Sequence, residues 1–311
     1  MQPFFSVIIP LYNKAPYIKR ALDSVLVQSY TNFEIVVVDD GSSDGGEVIV
    51  SNINDNKIRL ISQKNSGVSA ARNKGASKSK NEYLAFLDGD DTWEPNFLIE
   101  LVNLITNFPN AGIYGTSNSF IYPNGKKVAE DFSYLFTSKD QGLLEDYFGL
   151  FAQIHKSPFS NSNICIPKKI YNEFGGYKLG VKLTEDSDLW CRIALKYDIA
   201  FSIKPLANYF VALEGSTHTS FEPKEFEVSI MLKQKLKNKE IPEKYILSVK
   251  KLIIFQKLSL LKRAILTNNN SFAIKLIGDY ELFRYFPVAY TKCIIALIFH
   301  SWVFNSIRKY I

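Results

Sequence analysis

The sequence predicts an α/β protein: a parallel sheet flanked by helices, followed by a basic helical region. Three observations predict it. Segments of strand period and helix period alternate over the first hundred residues. The strand-like runs are too apolar and β-branched for burial on one face only. The polar clusters PLYN, VDDGSSD and DGDD all fall at the carboxyl ends of these runs, where open α/β sheets bind their ligands.

The elements follow in order. FSVIIP reads as a first buried strand, and Tyr17, Ile18, Ala21, Leu22, Val25 and Leu26 repeat at helical spacing. Pro16 sits where a first helical turn accepts it. FEIVVVDD is a second buried strand, and the GSSDGG turn leads to a short helix. IRLIS (strand), SAARNKGASKS (helix) and YLAFLD (strand) complete a pattern of right-handed crossovers. Beyond Pro95 the alternation changes. Residues 97–107 read as helix, 112–122 as strand, and Pro123-Asn124-Gly125 as a hairpin turn. Residues 141–183 are mixed, with Gly175-Gly176 before an aromatic residue. TEDSDLWCRIALKY (184–197) reads as a helix with Thr184 as N-cap and acidic residues in its first turn. Short strands are expected over 199–211, and helices from about 223 to 311. The expected division is a catalytic segment over 1–221, split near residue 95, and a basic helical region over 222–311.

Composition narrows the class. With 46% hydrophobic and 22% charged residues in 311, the chain is an ordinary globular protein with ample core. Its three cysteines are far apart and show no metal-binding spacing, which fits a reducing cytoplasm. Residues 4–10 lack the basic start of a signal peptide. Charge is unevenly spread: residues 222–311 hold 16 Lys/Arg against 7 Asp/Glu, while the rest hold 21 against 24. Three scattered histidines, no GxSxG and no P-loop argue against nucleophile–base and P-loop chemistry. GxGxxG is missing from the first strand–helix turn, which argues against a dinucleotide-binding dehydrogenase.

Four motifs carry chemistry, each with a structural alternative. Asp39 and Asp40 close a buried strand before Gly41; a carboxylate there suits a base imide or ribose hydroxyls, or it caps the turn. Arg72, in NSGVSAARNKG, suits a nucleotide base or phosphate, or it is a surface arginine on an Ala-rich helix. Asp88, Asp90 and Asp91 crowd one loop, where mutual repulsion is costly unless a hard cation sits there. Asp186 and Asp188 lie in a first helical turn, where the macrodipole alone favours acids, and a carboxylate there also suits a general base.

SVIIPLYNK, EIVVVDDGSSDG, NSGVSAARNKG, YLAFLDGDDTWEP and GGYKLGVKLTEDSDLWCRIAL occur together and in this order. Over residues 4–212 the chain resembles the family 2 glycosyltransferases of the GT-A fold, which carry a Rossmann-like mixed sheet flanked by helices. The resemblance implies an inverting enzyme using a nucleotide-sugar donor, typically a UDP-sugar, with Mn²⁺ or Mg²⁺. It implies that Pro10, Tyr12 and Asn13 line the nucleotide cleft, and that Asp40 and Arg72 contact the nucleotide. Asp90 would be the metal ligand, Asp88 the donor-side partner and second candidate ligand, and Asp186 the catalytic base. Glu185, Asp91 and Trp190 are further candidates beside these motifs. Where many members carry a YRxH-like stretch, this chain reads YFVALEGSTHTS; His218 is the available substitute. QxxRW, the mark of processive members, is missing, so a single addition is expected, to a glycan or lipid-linked acceptor in bacterial surface-polysaccharide assembly. The competing expectation is a sugar-nucleotide-binding protein without turnover.

Residues 287–311 hold an apolar stretch of about a dozen residues, shorter than the roughly twenty that span a bilayer. With Trp302, Phe304, Arg308 and Lys309 nearby, it reads as an interfacial helix at the inner face of a membrane, or as part of a packed helical subdomain or dimer contact. Basic–aromatic clusters are missing, so no nucleic-acid partner is expected.

Overall fold

The computed structural model describes residues 2–181, 183–211, 224–267 and 269–298. These fall into two compact units. The first comprises residues 1–145 and 158–216, the second 146–157 and 217–311. The helix within 146–157, inside the segment expected to be catalytic, therefore clusters with the C-terminal helices.

The first unit is built on one mixed sheet. Its strands are β1 (Phe5–Leu11), β2 (Phe33–Asp39), β3 (Ile58–Ser62), β4 (Tyr83–Phe86), β5 (Thr92–Trp93), β6 (Ile113–Ile121), β7 (Lys127–Ala129), β8 (Gln141–Leu143), β9 (Ile164–Pro167) and β10 (Ile199–Phe210). The main order is β3-β2-β1-β4-β9-β6-β10-β5. The first four strands are parallel, as their crossovers require. β9 then runs antiparallel to both β4 and β6, which makes the sheet mixed rather than wholly parallel. The short strands expected over 199–211 are one twelve-residue strand, β10, with register shifts around Pro205. The chain steps outward from β1 through β2 to β3, then returns to the opposite side of β1 as β4. That reversal opens a crevice at the carboxyl ends of β1 and β4.

Four helices follow strands as crossovers: α1 (Ala15–Leu26), α2 (Gly46–Ser51), α3 (Val68–Lys78) and α4 (Phe97–Asn107). Both sheet faces are covered, which explains the continuous apolar strands. Val7, Ile9 and Leu11 of β1 join Ile35 and Val37 of β2 in a core with Ile18, Leu22 and Val25 of α1. The alternate residues Val36 and Val38 pack with Ala71 of α3. Glycine at position 75 lets α3 come this close, because a Cβ there would stand 2.5 Å from Ile8 Cγ2. The expected hairpin is present, with Gly125 at φ +78° turning β6 into β7.

In the second unit, α5 (Tyr147–Ile154) precedes α8 (Glu227–Lys237), α9 (Ile246–Leu266), α10 (Asn270–Ile277), α11 (Tyr280–Tyr285) and α12 (Pro287–Ile298), with α6 (Lys168–Glu173) and α7 (Glu185–Ala194) belonging to the first. Leu258, Leu261 and Ile265 of α9 form a core with Ala273, Leu282, Cys293 and Ala296. Among the described residues no helix is long and apolar enough to cross a membrane. His218 and residues 299–311, including Trp302 and Phe304, lie outside the described residues.

The Gly75 contact yields a stability test. Gly75→Ala forces a methyl group against a β-branched side chain in the core, an overpacking cost that outweighs the roughly 1 kcal/mol gained in helix propensity. The variant is expected to be about 1–2 kcal/mol less stable in urea unfolding.

Candidate active site

The site begins at the carboxyl end of β4, where Asp88, Asp90 and Asp91 follow within four residues. Each carboxylate has a different partner. Asp88 accepts from Arg72 Nη2 at 2.7 Å, and Asp90 pairs with Lys14 Nζ at 2.5 Å. Asp91 is buried and accepts from Ser162 Oγ at 2.5 Å and from the Phe210 N–H at 3.1 Å. Burial, then the charges of Asp88 and Asp90, push its carboxyl well above the usual range, against the two hydrogen bonds. Repulsion is relieved by separation onto different partners, and Asp91 is an anchor tying the loop to Ser162 and β10.

Arg72 is the centre of the arrangement. It projects from the first half of α3, its side chain only 4% exposed. Besides Asp88 it reaches Glu185 Oε1 at 3.1 Å. Asn161, with its amide oriented by its partners, accepts from both guanidinium nitrogens at 3.1 and 3.3 Å and donates to the Tyr177 hydroxyl at 2.6 Å. The guanidinium also faces the Tyr177 ring, 5.3 Å from its centroid. Burial disfavours the cation, but Asp88, Tyr177 and Glu185 outweigh it and hold the arginine's pKa above its usual value. The surface-arginine alternative is excluded.

The neighbouring residue of α3 fixes the next segment. Asn73 donates to the Tyr177 carbonyl at 2.8 Å and accepts from its N–H at 3.0 Å. Gly176 takes φ +67° against it, and a Cβ there would meet Asn73 Oδ1 at 2.6 Å, hence the GGY sequence. From there Lys178 reaches Asp188 at 2.7 Å, and Arg192 reaches it at 2.8 Å while donating to the Gly176 carbonyl. Asp188, fully buried in the first turn of α7, is therefore a structural strut that ties this helix to the GGYK segment.

The first turn of α7 carries Glu185 and Asp186. Thr184 occupies the N-cap position but makes no side-chain cap bond, a correction to the sequence expectation. Its left-handed backbone, φ +64°, is unusual for a β-branched residue, and its buried hydroxyl has no hydrogen-bond partner among the described residues. Asp186 instead accepts from the Ser187 N–H at 2.5 Å. Burial raises the Asp186 carboxyl, with Ser187 and Arg72 opposing the shift. Burial and the neighbouring Asp186 push Glu185 up to about 7. Trp190 is wholly buried and packs edge-on against Phe159, so it is a core residue and not part of the crevice.

At the other side of the crevice, Tyr12 is half exposed beyond β1, and Pro10 lies in β1 beside Val38 of β2. Asn13 accepts from the Ser43 N–H at 2.9 Å and donates its own N–H to Ser42 at 3.1 Å, stitching β1 to the loop after β2. Asp40 is buried, and its two oxygens accept from the N–H groups of Ser66 and Gly67 and from Gln63 Nε2, all at 2.8 Å. It therefore braces the loop leading into α3. Turn capping falls to its neighbours: Asp39 accepts from the Ser42 N–H and Asp44 from Gly46. Sequence reasoning missed Lys14, Asn161, Ser162 and Tyr177. The first stands inside the quoted PLYNK; the NSN run directly before buried ICIP was the available signal for the second and third.

The sheet order, the switch point at β1/β4 and the acidic loop beyond β4 define a GT-A type fold. S. aureus TarS, solved with UDP-GlcNAc, shares it with a TM-score of 0.65 at 22% identity, over 94% of this chain and 81% of that one. Residues 6–171 match the description Glycosyl transferase family 2, and the chain belongs to that family. A Rickettsia typhi relative described as an uncharacterized glycosyltransferase is 30% identical over 70% of this chain and 67% of its own length. A Rickettsia felis relative so described is 33% identical over 61% of this chain. This chain spans only 31% of that relative's length.

The raised Glu185 carboxyl makes a signed prediction. Between 4.5, its ordinary pKa, and about 7 the folded state binds more protons than the unfolded state. Stability must therefore fall as pH rises through that window. In urea unfolding at stepped pH, Glu185→Gln is expected to gain stability relative to wild type between these limits and to hold a constant difference above them.

Proposed function

We propose that this chain is an inverting glycosyltransferase that moves a sugar from a UDP-linked donor to an acceptor hydroxyl. The observation that carries the reading is the Arg72 bridge, which joins Asp88 beyond β4 to Glu185, and so to Asp186, at the start of α7. One buried cation thereby sets a donor-side carboxylate and a candidate base in one neighbourhood. The fold neighbour TarS was solved with UDP-GlcNAc and with UDP, which supports a uridine donor here.

In this mechanism Asp186 takes the proton of the acceptor hydroxyl as its oxygen attacks the anomeric carbon. The bond from that carbon to the diphosphate breaks on the opposite face, and its electron pair leaves with UDP. One displacement inverts the centre, so one base suffices. Desolvation raises Asp186, which brings its basicity nearer to the task. Pro10, Tyr12 and Asn13 would frame the nucleoside, Asp40 would contact the base or hold the loop beneath it, and Arg72 would meet the nucleotide.

Asp90, with Asp88, would hold Mn²⁺ or Mg²⁺. The donor set fits: both are hard carboxylate ligands, partly exposed at 21% and 28%. Among the described residues no group of three or more His, Cys, Asp or Glu is placed to hold a metal, so phosphate oxygens and water would complete the shell. When bound, such an ion offsets charge on the departing diphosphate. Assayed as UDP release from UDP-sugars with Mn²⁺, Asp186→Asn is expected to lower turnover about 10²–10⁴-fold while leaving UDP affinity nearly unchanged. UDP-sugar binding with no turnover in wild type favours a binding protein and overturns the enzyme reading.

The acceptor we propose is a glycan or lipid-linked sugar, met at the inner membrane face. Support comes from the second unit, where Tyr280, Phe283 and Val288 are 71, 47 and 70% exposed. Tyr280, Phe283 and Tyr290 form a continuous aromatic run. Lys262 and Lys292 line a cleft with Phe286 and Val288, and neither has a carboxylate partner among the described residues. Exposed aromatics beside unpaired lysines suit an anionic interface. The protein is expected to sediment with phosphatidylglycerol vesicles but not with phosphatidylcholine, less so in high salt and less so as Val288→Asp. Equal sedimentation with both lipids, or none, overturns this part.

A further inference from the structure

The three carboxylates of the acidic loop are not held alike. Arg72, almost fully buried, holds Asp88, and Asp91 is buried under two hydrogen bonds from the fold. Asp90 alone is met by a lysine, with both side chains part-exposed at 18% and 21%. A part-exposed pair on a flexible ammonium is the weakest and most exchangeable of the three.

Lys14 is also an odd residue for its position. It occupies the N-cap of α1, whose first turn holds no acidic residue. A cation at the positive end of a helix is unfavourable, and the side chain makes no cap bond. Its backbone is nevertheless clamped on both flanks. Asn13 is tied to Ser42 and Ser43, and the Ala15 N–H donates to Asp44 Oδ2 at 2.7 Å. The stem lies along the acidic loop, with Lys14 Cβ 3.8 Å from where a Cβ on Gly89 would stand. So the ammonium stands on a fixed root, held by Asp90 and 5.8 Å from the Tyr17 ring centroid, beside the crevice that Asn13 borders.

We propose that Lys14 is an exchangeable counter-ion. It neutralises Asp90 while no donor is present, and turns to the donor's diphosphate when one enters, so divalent metal binds Asp90 well only together with the nucleotide. This rests on the nucleoside-diphosphate reading above. No bond is made or broken in the exchange; one ion pair is traded for another. Arg20 does not substitute, because its guanidinium donates to the Asp90 carbonyl and lies 3.5 Å from the Phe210 ring centroid.

Lys14→Met keeps the stem and removes the charge. With Mn²⁺ alone, titrated by the EPR signal of the free ion, the variant is expected to bind about fivefold tighter than wild type. With UDP added at saturating Mn²⁺, calorimetry is expected to show about tenfold weaker UDP binding. These opposite signs separate the exchange from a structural role, which would weaken both or neither. Lys14→Arg is expected to restore UDP affinity, and matching thermal melts establish that the variants are folded. If wild type binds UDP but Lys14→Met leaves Mn²⁺ affinity unchanged or lowers it, the exchange is wrong while the donor reading stands. If wild type binds no UDP, the donor reading fails and the exchange fails with it.

Discussion

The buried guanidinium of Arg72 is the contact on which the first unit's organisation turns. Two carboxylates, an amide oxygen and an aromatic face converge on it from β4, α7, the turn before β9 and the GGY segment. A lysine could not serve, because a point ammonium lacks the planar fork that bridges two acids while stacking on a ring. Burying such a group among acids is a weak source of net stability, since desolvation consumes much of the Coulombic gain. What it supplies is uniqueness of arrangement. Segments remote in sequence meet there because any other packing would strand a charge. Asn73, next along α3, extends the constraint to Tyr177, and through Lys178 and Arg192 it reaches Asp188 in the first turn of α7.

Much of the fold was legible in the sequence because periodicity reports burial directly. β1 to β4 and α1, α3 and α4 fall where the apolar patterns put them, within a residue or two. The mixed character of the sheet's second half was not visible there. β9 is four residues long, and its antiparallel pairing with two neighbours leaves no trace in local pattern. Residues 146–157 carry nothing in their composition to show that they side with the C-terminal helices. Thr184 shows a different limit. A good capping residue type was read as a cap, but with a left-handed backbone it makes no side-chain cap bond.

At the site, residue types were legible and partners were not. Arg72, Asp88, Asp90 and the Glu185–Asp186 pair were singled out by motif, yet nothing in the chain says that Arg72 joins Asp88 to Glu185. Trp190 was drawn in by its place in TEDSDLW and proved to be core, packed against Phe159. Asp40 sits where the motif puts it, but it spends its oxygens on three donors from residues 63–67. A carboxylate so engaged fixes the height of that loop above the sheet, whether or not it also touches a base.

The acidic loop shows why dense charge at a strand end is tolerable. Repulsion among Asp88, Asp90 and Asp91 would be prohibitive if all three stayed ionised and faced one volume of low dielectric. The fold gives them three environments instead. Asp91 is buried and pushed towards its neutral form, and therefore behaves as a hydrogen-bonding strut between Ser162 and β10. Asp88 is offset by a cation that cannot leave without breaking the first unit's central contact. Asp90 is offset by a part-exposed lysine, Lys14. That gradation, from buried strut to fixed pair to part-exposed pair, follows depth in the structure. The loop can therefore be stable without a ligand and still keep one carboxylate available to it.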